Sequence, residues 1–488
     1  MQQSLKHKTA TSIVWSAIER FASQGIQFLI GLVMARLLMP SDYGTIALLN
    51  VFLAICQTFI DSGFGLALIR KKDCSEKDFC TVFIFSIVVA GVCYGLLWLI
   101  SPWIANFYNI PSLVIITRVV ALNVIINALT NVPNAILSIA LDFKKKAIIT
   151  LATVAISGSI GLWMAYNDFG LWSLVYQTLI AGSVRAVLLF VFTRWIPKLH
   201  FSKDSFNNLF SFGSKMLISG IIGNIYNNIS SIVIGKFYSP TLLGLYGKAS
   251  TLASYPSMQM TGVILNVAYP TLAKIQDDEQ RLIEAYRKLL RMSTFIIFPL
   301  MVGLAVVAKP FILFVLGEKW TEMIPYLQIL CFAMMWDPIN GLNLNLLQVK
   351  GYANIFLKIE IIKKIGGVFI LGLTIPFGLK AICYGILAIN LMNLPINTYY
   401  TRKIFGYGII SQIKDIWHIV ADVAFMGFFV KIILILFDSP LVQLIVGIGM
   451  GGIIYLFNAY IFRFNEITIL TSFVSRCRQQ NSHNEYKR

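Results

Sequence analysis

Long apolar blocks recur along the whole chain, separated by short polar gaps. A helix of about 20 residues crosses the roughly 30 Å hydrocarbon core of a bilayer, and fourteen blocks reach that scale. They cover residues 11–35, 43–68, 79–100, 113–141, 147–166, 170–192, 211–235, 242–269, 292–316, 323–348, 355–376, 378–400, 416–436 and 440–462. The longest gaps hold about twenty residues, too few for a folded soluble domain. The pattern predicts an all-α polytopic membrane protein with about 14 transmembrane helices.

Within several blocks, polar residues return at helical spacing. Ser16, Arg20, Ser23 and Gln27 share a face of the first, with Glu19 beside Arg20; Asn50, Gln57 and Asp61 mark the second. The seventh carries Lys215, Ser219, Asn227 and Ser230, and the eighth Lys248, Thr251, Tyr255, Gln259 and Asn266. A charge at mid-membrane costs about 2.5–3.5 kcal/mol on insertion scales, so each must face water or a partner. Packed together, these faces would enclose a polar central cavity. Arg20 lies roughly nine residues, or about 14 Å, inside its block, too deep to snorkel comfortably. Two roles stand open for it: a cation facing the cavity, or one half of a pair with Glu19 that fixes helix packing.

The sign of the in-span charge narrows the substrate. The cations are Arg20, Arg118, Arg185, Lys215, Lys248, Lys309, Lys358, Lys363, Lys364 and Lys431; the acids are Glu19, Asp61, Asp337, Glu360 and Asp422. Arg185, Lys309 and Lys358 sit near block ends and snorkel. The remainder favours an anionic group such as a phosphate or diphosphate, which arginine meets as a fork and lysine as a point charge. Candidate substrate-binding residues are Arg20, Lys215, Lys248, Arg118, Tyr255, Gln259, Gln27 and Asn227. Asp337, in "MMWDPING", is the acid nearest mid-bilayer, and Pro338 frees backbone carbonyls beside it. It is a candidate for binding a coupling proton or sodium ion, or else an acid balancing a nearby lysine; Glu19 is the second coupling candidate.

Composition agrees with a membrane chain: 57% of residues are hydrophobic and 13% charged, at a mean hydropathy of +0.75. A soluble chain carries about twice that charged fraction. The net charge of +18 is largely topogenic rather than a nucleic-acid footprint. With the N-terminus in the cytosol, Lys and Arg favour the cytosolic loops by about six to one, which places both termini there. The cysteines fall in spans or on the cytosolic side and predict free thiols. The histidines lack metal spacing, and neither a P-loop nor an HExxH occurs, so no metal, cofactor or enzymatic chemistry is expected. The first block is too long and too polar inside for a signal peptide. "DDEQ" at 277–280 reads as a helix cap rather than the metal-binding acids of a polyprenyl-phosphate sugar transferase. "FSKDSFNNLF" and "ISQIKDIWHIV" read as interfacial helices.

A weak duplication runs through the chain. "LLMPSDYG" joins blocks 1 and 2 as "KFYSPTLLG" joins 7 and 8, so Pro40 and Gly44 match Pro240 and Gly244, with Arg36 matching Lys236. "SPWIANF" at 101 resembles "KPFILFV" at 309, and "FGL" at 169 recurs at 377; an insertion of about eight residues after block 8, around "AKIQDDEQRLIEAYRKLLR", accounts for the changed offset. Parallel repeats are a transporter architecture. The expected layout is two parallel-repeat six-helix lobes around the cavity, residues 1–200 and 201–410, then two C-terminal helices over 411–465 and a cytosolic tail over 466–488.

The stretches "ARLLMPSDYG", "DSGFGLALIRKKD", "FGLWSLVYQ" and "VIGKFYSPTLLGLYGKA" resemble the polysaccharide-transporter branch of the multidrug/oligosaccharidyl-lipid/polysaccharide exporter superfamily. Within it they are most similar to Wzx-type lipopolysaccharide and exopolysaccharide flippases. The resemblance covers roughly residues 5–465. It implies alternating access and flipping of an undecaprenyl-diphosphate-linked oligosaccharide across the bacterial cytoplasmic membrane, coupled to an ion gradient or the membrane potential. It further implies a polysaccharide polymerase and glycosyltransferases as partners in one pathway. Lipid II flippases of the superfamily carry cations in spans 1, 2 and 8; Arg20 and Lys248 fit spans 1 and 8, but span 2 here lacks a central cation. A multidrug/cation antiporter of the superfamily would want an acidic cavity, and a membrane-embedded sugar transferase a catalytic acid cluster; the sequence displays neither.

Overall fold

The computed structural model describes Trp15, residues 22–61, Phe64, residues 67–68, 74–198 and 200–467, without the side chains of 207–216, 218–219 and 267. Among the described residues the ordered elements are helices, because only internally bonded backbone survives without water. They are α1 (Ala22–Leu37), α2 (Pro40–Asp61), α3 (Glu76–Tyr108), α4 (Leu113–Val120), α5 (Leu122–Ile139), α6 (Phe143–Tyr166), α7 (Leu171–Thr193) and α8 (Lys203–Phe237). There follow α9 (Pro240–Lys274), α10 (Glu279–Val306), α11 (Ile324–Met334), α12 (Asp337–Val349), α13 (Ala353–Thr374), α14 (Leu379–Phe405), α15 (Ile409–Ile435) and α16 (Pro440–Ile461). Among the described residues, nine helical segments are long and apolar enough to cross a membrane. The chain is a multi-pass membrane protein.

Two expectations change. The stretches 201–210 and 410–420 are not set apart from the apolar helices that follow: residues 203–210 open α8 and 410–420 lie in α15. No proline interrupts either junction, so the amphipathic stretch propagates into the apolar one. By contrast, the acids at 277–280 do cap a helix: Asp278 accepts from the backbone N–H of Arg281 at 3.1 Å and opens α10.

The surface inverts the pattern of a soluble protein. On α3, Val88, Val92, Leu96, Leu99 and Trp103 form a stripe at helical spacing, and Trp103 is 75% exposed. Such a surface is tolerable only against hydrocarbon. The other face of the helix buries Ser86, Ala90, Cys93, Leu97 and Ser101. A Ser75–Asp78 capping box opens the helix, and Asn109 in the left-handed region (φ 56°) closes it.

The described structure divides into two compact units at Gly247/Lys248, inside α9. Packing thus places α8 with the first unit. In this first unit the matched segments of the duplication meet. A Cβ on Gly44 would strike the carbonyl of Pro240, and a Cβ on Gly244 the carbonyl of Pro40, each also 3.0 Å from the other glycine's N. The contact is reciprocal. Around it, Asn224 donates to Thr58 Oγ1 at 2.6 Å, and Lys236 Nζ donates to the Phe107 carbonyl at 2.7 Å while lying over the Phe107 ring.

In the second unit, α10 packs on α15 and α11, and α13 on α14. The last two helices are tied to α10: Tyr455 OH donates to the Phe295 carbonyl at 2.8 Å, and Arg287 grips Asp415 through two bonds of 2.7 Å.

The reciprocal glycine contact predicts that Gly44→Ala and Gly244→Ala each destabilise the protein by about 1–3 kcal/mol, since backbone rather than a side chain must yield. At Gly95 an added methyl would meet nothing within 4 Å, so alanine should be accepted there without loss. Thermal midpoints from size-exclusion profiles in detergent test this. Equal midpoints for Gly44→Ala and Gly95→Ala would remove the contact's role.

Candidate functional site

The site begins with a broken helix. The block expected over 323–348 folds as two pieces, α11 and α12, separated at Met335–Trp336. Asp337 is the first residue of α12 and Pro338 the second. Proline suits this position, because its missing N–H belongs to the unpaired first turn. A carboxylate there also meets the positive end of the half-helix dipole. Across from it, Ser257 of α9 lies 3.2 Å from Asp337 Oδ2 and 2.9 Å from the Met334 carbonyl. One hydroxyl thus bridges the break from the neighbouring helix. Pro256 adjoins Ser257 and removes a main-chain donor from α9 at the same level.

Lys248, Tyr255 and Gln259 occupy a different face of α9. At 100° per residue, Ser257 stands 200° from both Tyr255 and Gln259, nearly opposite. All three stripe residues are half-buried, whereas Ser257 is fully buried. The helix therefore presents its polar stripe on one side and holds Asp337 with the other. The structure does not bring Asp337 and the stripe together directly; α9 is their link.

The remaining candidates lie in the first unit. Gln27 on α1 and Asn227 on α8 are exposed. Arg118 on α4 donates to Ser101 Oγ at 3.1 Å and lies 4.1 Å over the Trp98 ring, both on α3. Arg20 and Glu19 fall outside the described residues, as does the side chain of Lys215. Of the polar positions on the second block, Gln57 donates to Asp61 Oδ1 at 2.9 Å and accepts from Asn127 of α5 at 3.3 Å.

Sequence reasoning missed a buried amide ladder in the second unit. Asn343 on α12 and Gln412 on α15 exchange two hydrogen bonds, 3.1 and 2.8 Å long. Thr401 on α14 donates to Asn343 Oδ1 at 3.1 Å, and Asn397 donates to Asn340 Oδ1 at 2.8 Å. Asn343, Asn397 and Thr401 are fully buried. A signal existed: Asn340 and Asn343, and Asn397 and Thr401, stand three and four residues apart on one face of their helices.

The ladder predicts that Gln412→Leu removes both bonds between Asn343 and α15, leaving that amide only Thr401 and the Ile339 carbonyl, and lowers stability by about 1–2 kcal/mol, whereas Gln412→Asn, shorter by one methylene, costs less. Thermal unfolding in detergent reads both. No loss in Gln412→Leu would remove the pair's role in stability.

Comparison with known proteins extends these observations. A model of the family described as "Polysaccharide biosynthesis protein" matches residues 33–325. The lipopolysaccharide biosynthesis protein WzxC of Escherichia coli (strain K12) is 28% identical over 420 residues, covering 85% of each chain. The teichuronic acid biosynthesis protein TuaB of Bacillus subtilis (strain 168) is 25% identical over 354 residues, covering 72% of this chain and 73% of that one. Among solved structures, the lipid II flippase MurJ in an inward closed conformation superposes with a TM-score of 0.75 at 14% identity, covering 93% of this chain and 100% of that one. An inward-facing multidrug resistance MATE family transporter of the MOP superfamily gives 0.61 at 15% identity, over 81% and 98% of the chains.

Proposed function

Because the chain belongs to the polysaccharide biosynthesis protein family, we infer that it is a flippase that carries a lipid-linked oligosaccharide across the membrane. The observation that supports this most is the span of the relatives: a lipopolysaccharide and a teichuronic acid biosynthesis protein align over most of the chain. The fold shared with a lipid II flippase fits the same reading.

The finer proposal places the protein in the bacterial cytoplasmic membrane with both termini cytosolic and fourteen spans, two six-helix repeats and a C-terminal pair. The substrate is an undecaprenyl-diphosphate-linked repeat unit. Its diphosphate meets Arg20, Lys215 and Lys248, which replace its hydration. Tyr255, Gln259, Gln27 and Asn227 meet the sugars. Arg118 is the weakest member of the set, because Ser101 and Trp98 already engage it. Alternating access then exchanges the leaflet to which the site opens. The polymerase and glycosyltransferases of the pathway use its product and supply its substrate.

Coupling to a proton or sodium ion is assigned to Asp337. A carboxylate at a mid-block helix break, bridged by Ser257, is suited to binding or releasing a cation while α9 bends beside it at Pro256. Asp337→Asn should then remove the dependence of transport on the ion gradient while substrate binding persists. Unchanged transport across all proton and sodium gradients would reduce Asp337 to a structural acid.

Arg20 tests the substrate assignment. In cells that depend on this protein, Arg20→Ala should stop surface polysaccharide export at unchanged protein level, with lipid-linked units accumulating inside. Arg20→Lys should restore only part, because a point charge replaces a fork. If Arg20 instead pairs with Glu19, Arg20→Ala lowers abundance, and Glu19→Gln with Arg20→Gln restores both level and export. Normal export by that double variant would sink the ligand role.

A further inference from the structure

An open cavity with a polar floor lies away from Asp337, where the first half of α15, the end of α16 and Arg291 of α10 converge. It encloses about 630 Å³ and is lined by Arg291, His418, Asp422, Asn458, Arg463 and Glu466, among others. Glu466 is 1% exposed and Asp422 7% exposed. Their surroundings leave them incompletely satisfied. Asp422 Oδ1 accepts from Asn458 at 2.9 Å, but Oδ2 is buried without a hydrogen-bond partner. Glu466 stands 3.6 Å from Arg291 and 3.7 Å from His418, close enough to feel their charge but beyond hydrogen-bond length. Its Oε2, and Arg291 Nε, are buried without hydrogen bonds.

Orphaned buried groups cost about 1–3 kcal/mol each, more when charged. Here Asp422 Oδ2 has no partner, and Glu466 is held by Arg291 and His418 only through ion pairs of 3.6 and 3.7 Å; together they describe the complement of a ligand. It must present a hydrogen-bonding cation to the carboxylates and an anion to the guanidinium. Burial works against charge on Glu466, but His418 and Arg291 outweigh it and hold the carboxyl below its usual range. The acceptor is thus ionised at neutral pH. The rim is apolar and open: Trp417 is 62% exposed and Phe462 71%. Both belong to the ends of α15 and α16 that the proposed topology turns toward the cytosol, at the depth of lipid headgroups, where aromatic rings gather.

We propose that this cavity binds the headgroup of a phosphoethanolamine-bearing membrane lipid from the cytosolic leaflet. The ammonium donates to Asp422 and Glu466, the phosphate accepts from Arg291 and Arg463, and the acyl chains lie along Trp417, Phe425 and Phe462. A choline headgroup has no N–H to give the orphaned oxygens, and a glycerol headgroup has no cation. The lipid would brace α15 and α16 against α10.

The test is native mass spectrometry of the full chain, delipidated in mild detergent and titrated with short-chain phosphatidylethanolamine, phosphatidylcholine or phosphatidylglycerol. The ethanolamine lipid should bind roughly tenfold tighter than either of the others, the scale of one lost charged hydrogen bond. Asp422→Asn, which preserves a partner for Asn458, should reduce that preference, and Asp422→Asn with Glu466→Gln should abolish it. Thermal midpoints establish that each variant is folded; should the double variant fail to fold, Asp422→Asn alone decides. Equal binding of the three lipids to the wild type, or a preference that survives the substitutions, would overturn the proposal. Soluble O-phosphoethanolamine binding as tightly as the lipid would overturn the membrane source.

Discussion

Hydrocarbon offers no hydrogen bonds, and the organisation of this chain follows from that absence. The backbone closes on itself as helices. Apolar side chains gain nothing by avoiding the solvent, so α3 turns Val88, Val92, Leu96 and Trp103 outward. Helices then need another reason to associate, and close approach supplies dispersion contacts. Gly44 and Gly244 permit it by letting each helix start rest on the other's proline carbonyl. Polar side chains supply the rest, as Asn343 and Gln412 do across two helices.

What the sequence made legible is what this constraint punishes hardest. Charged residues inside apolar blocks are conspicuous, so Asp337 stood out within its apolar block, although hydropathy predicts 323–348 as one span and the break at Met335–Trp336 emerges only in the fold. Amides are quieter. Asn340, Asn343 and Gln412 carry no charge, and their value lies in who stands opposite, which requires the packing of α12, α14 and α15. Arg118 illustrates the converse. Its charge drew it into the candidate set, but the sequence could not reveal that Ser101 and Trp98 share its corner. The continuity of residues 203–210 and 410–420 with longer helices was hidden for another reason: helix ends are set by breakers, and here the amphipathic pattern changed without one.

The starts of α3 and α10 differ, and the difference has a consequence. Helix α3 opens with a compact Ser75–Asp78 capping box. Helix α10 starts at Glu279 and runs through an amphipathic turn before it becomes apolar. That extension carries Arg287 and Arg291, and both reach the C-terminal pair: Arg287 clamps Asp415, which also accepts from Tyr407, and Arg291 faces Glu466. Deeper along the same helix, the Phe295 carbonyl receives Tyr455. The amphipathic start of α10 thus serves as a docking face for α15 and the segment after α16.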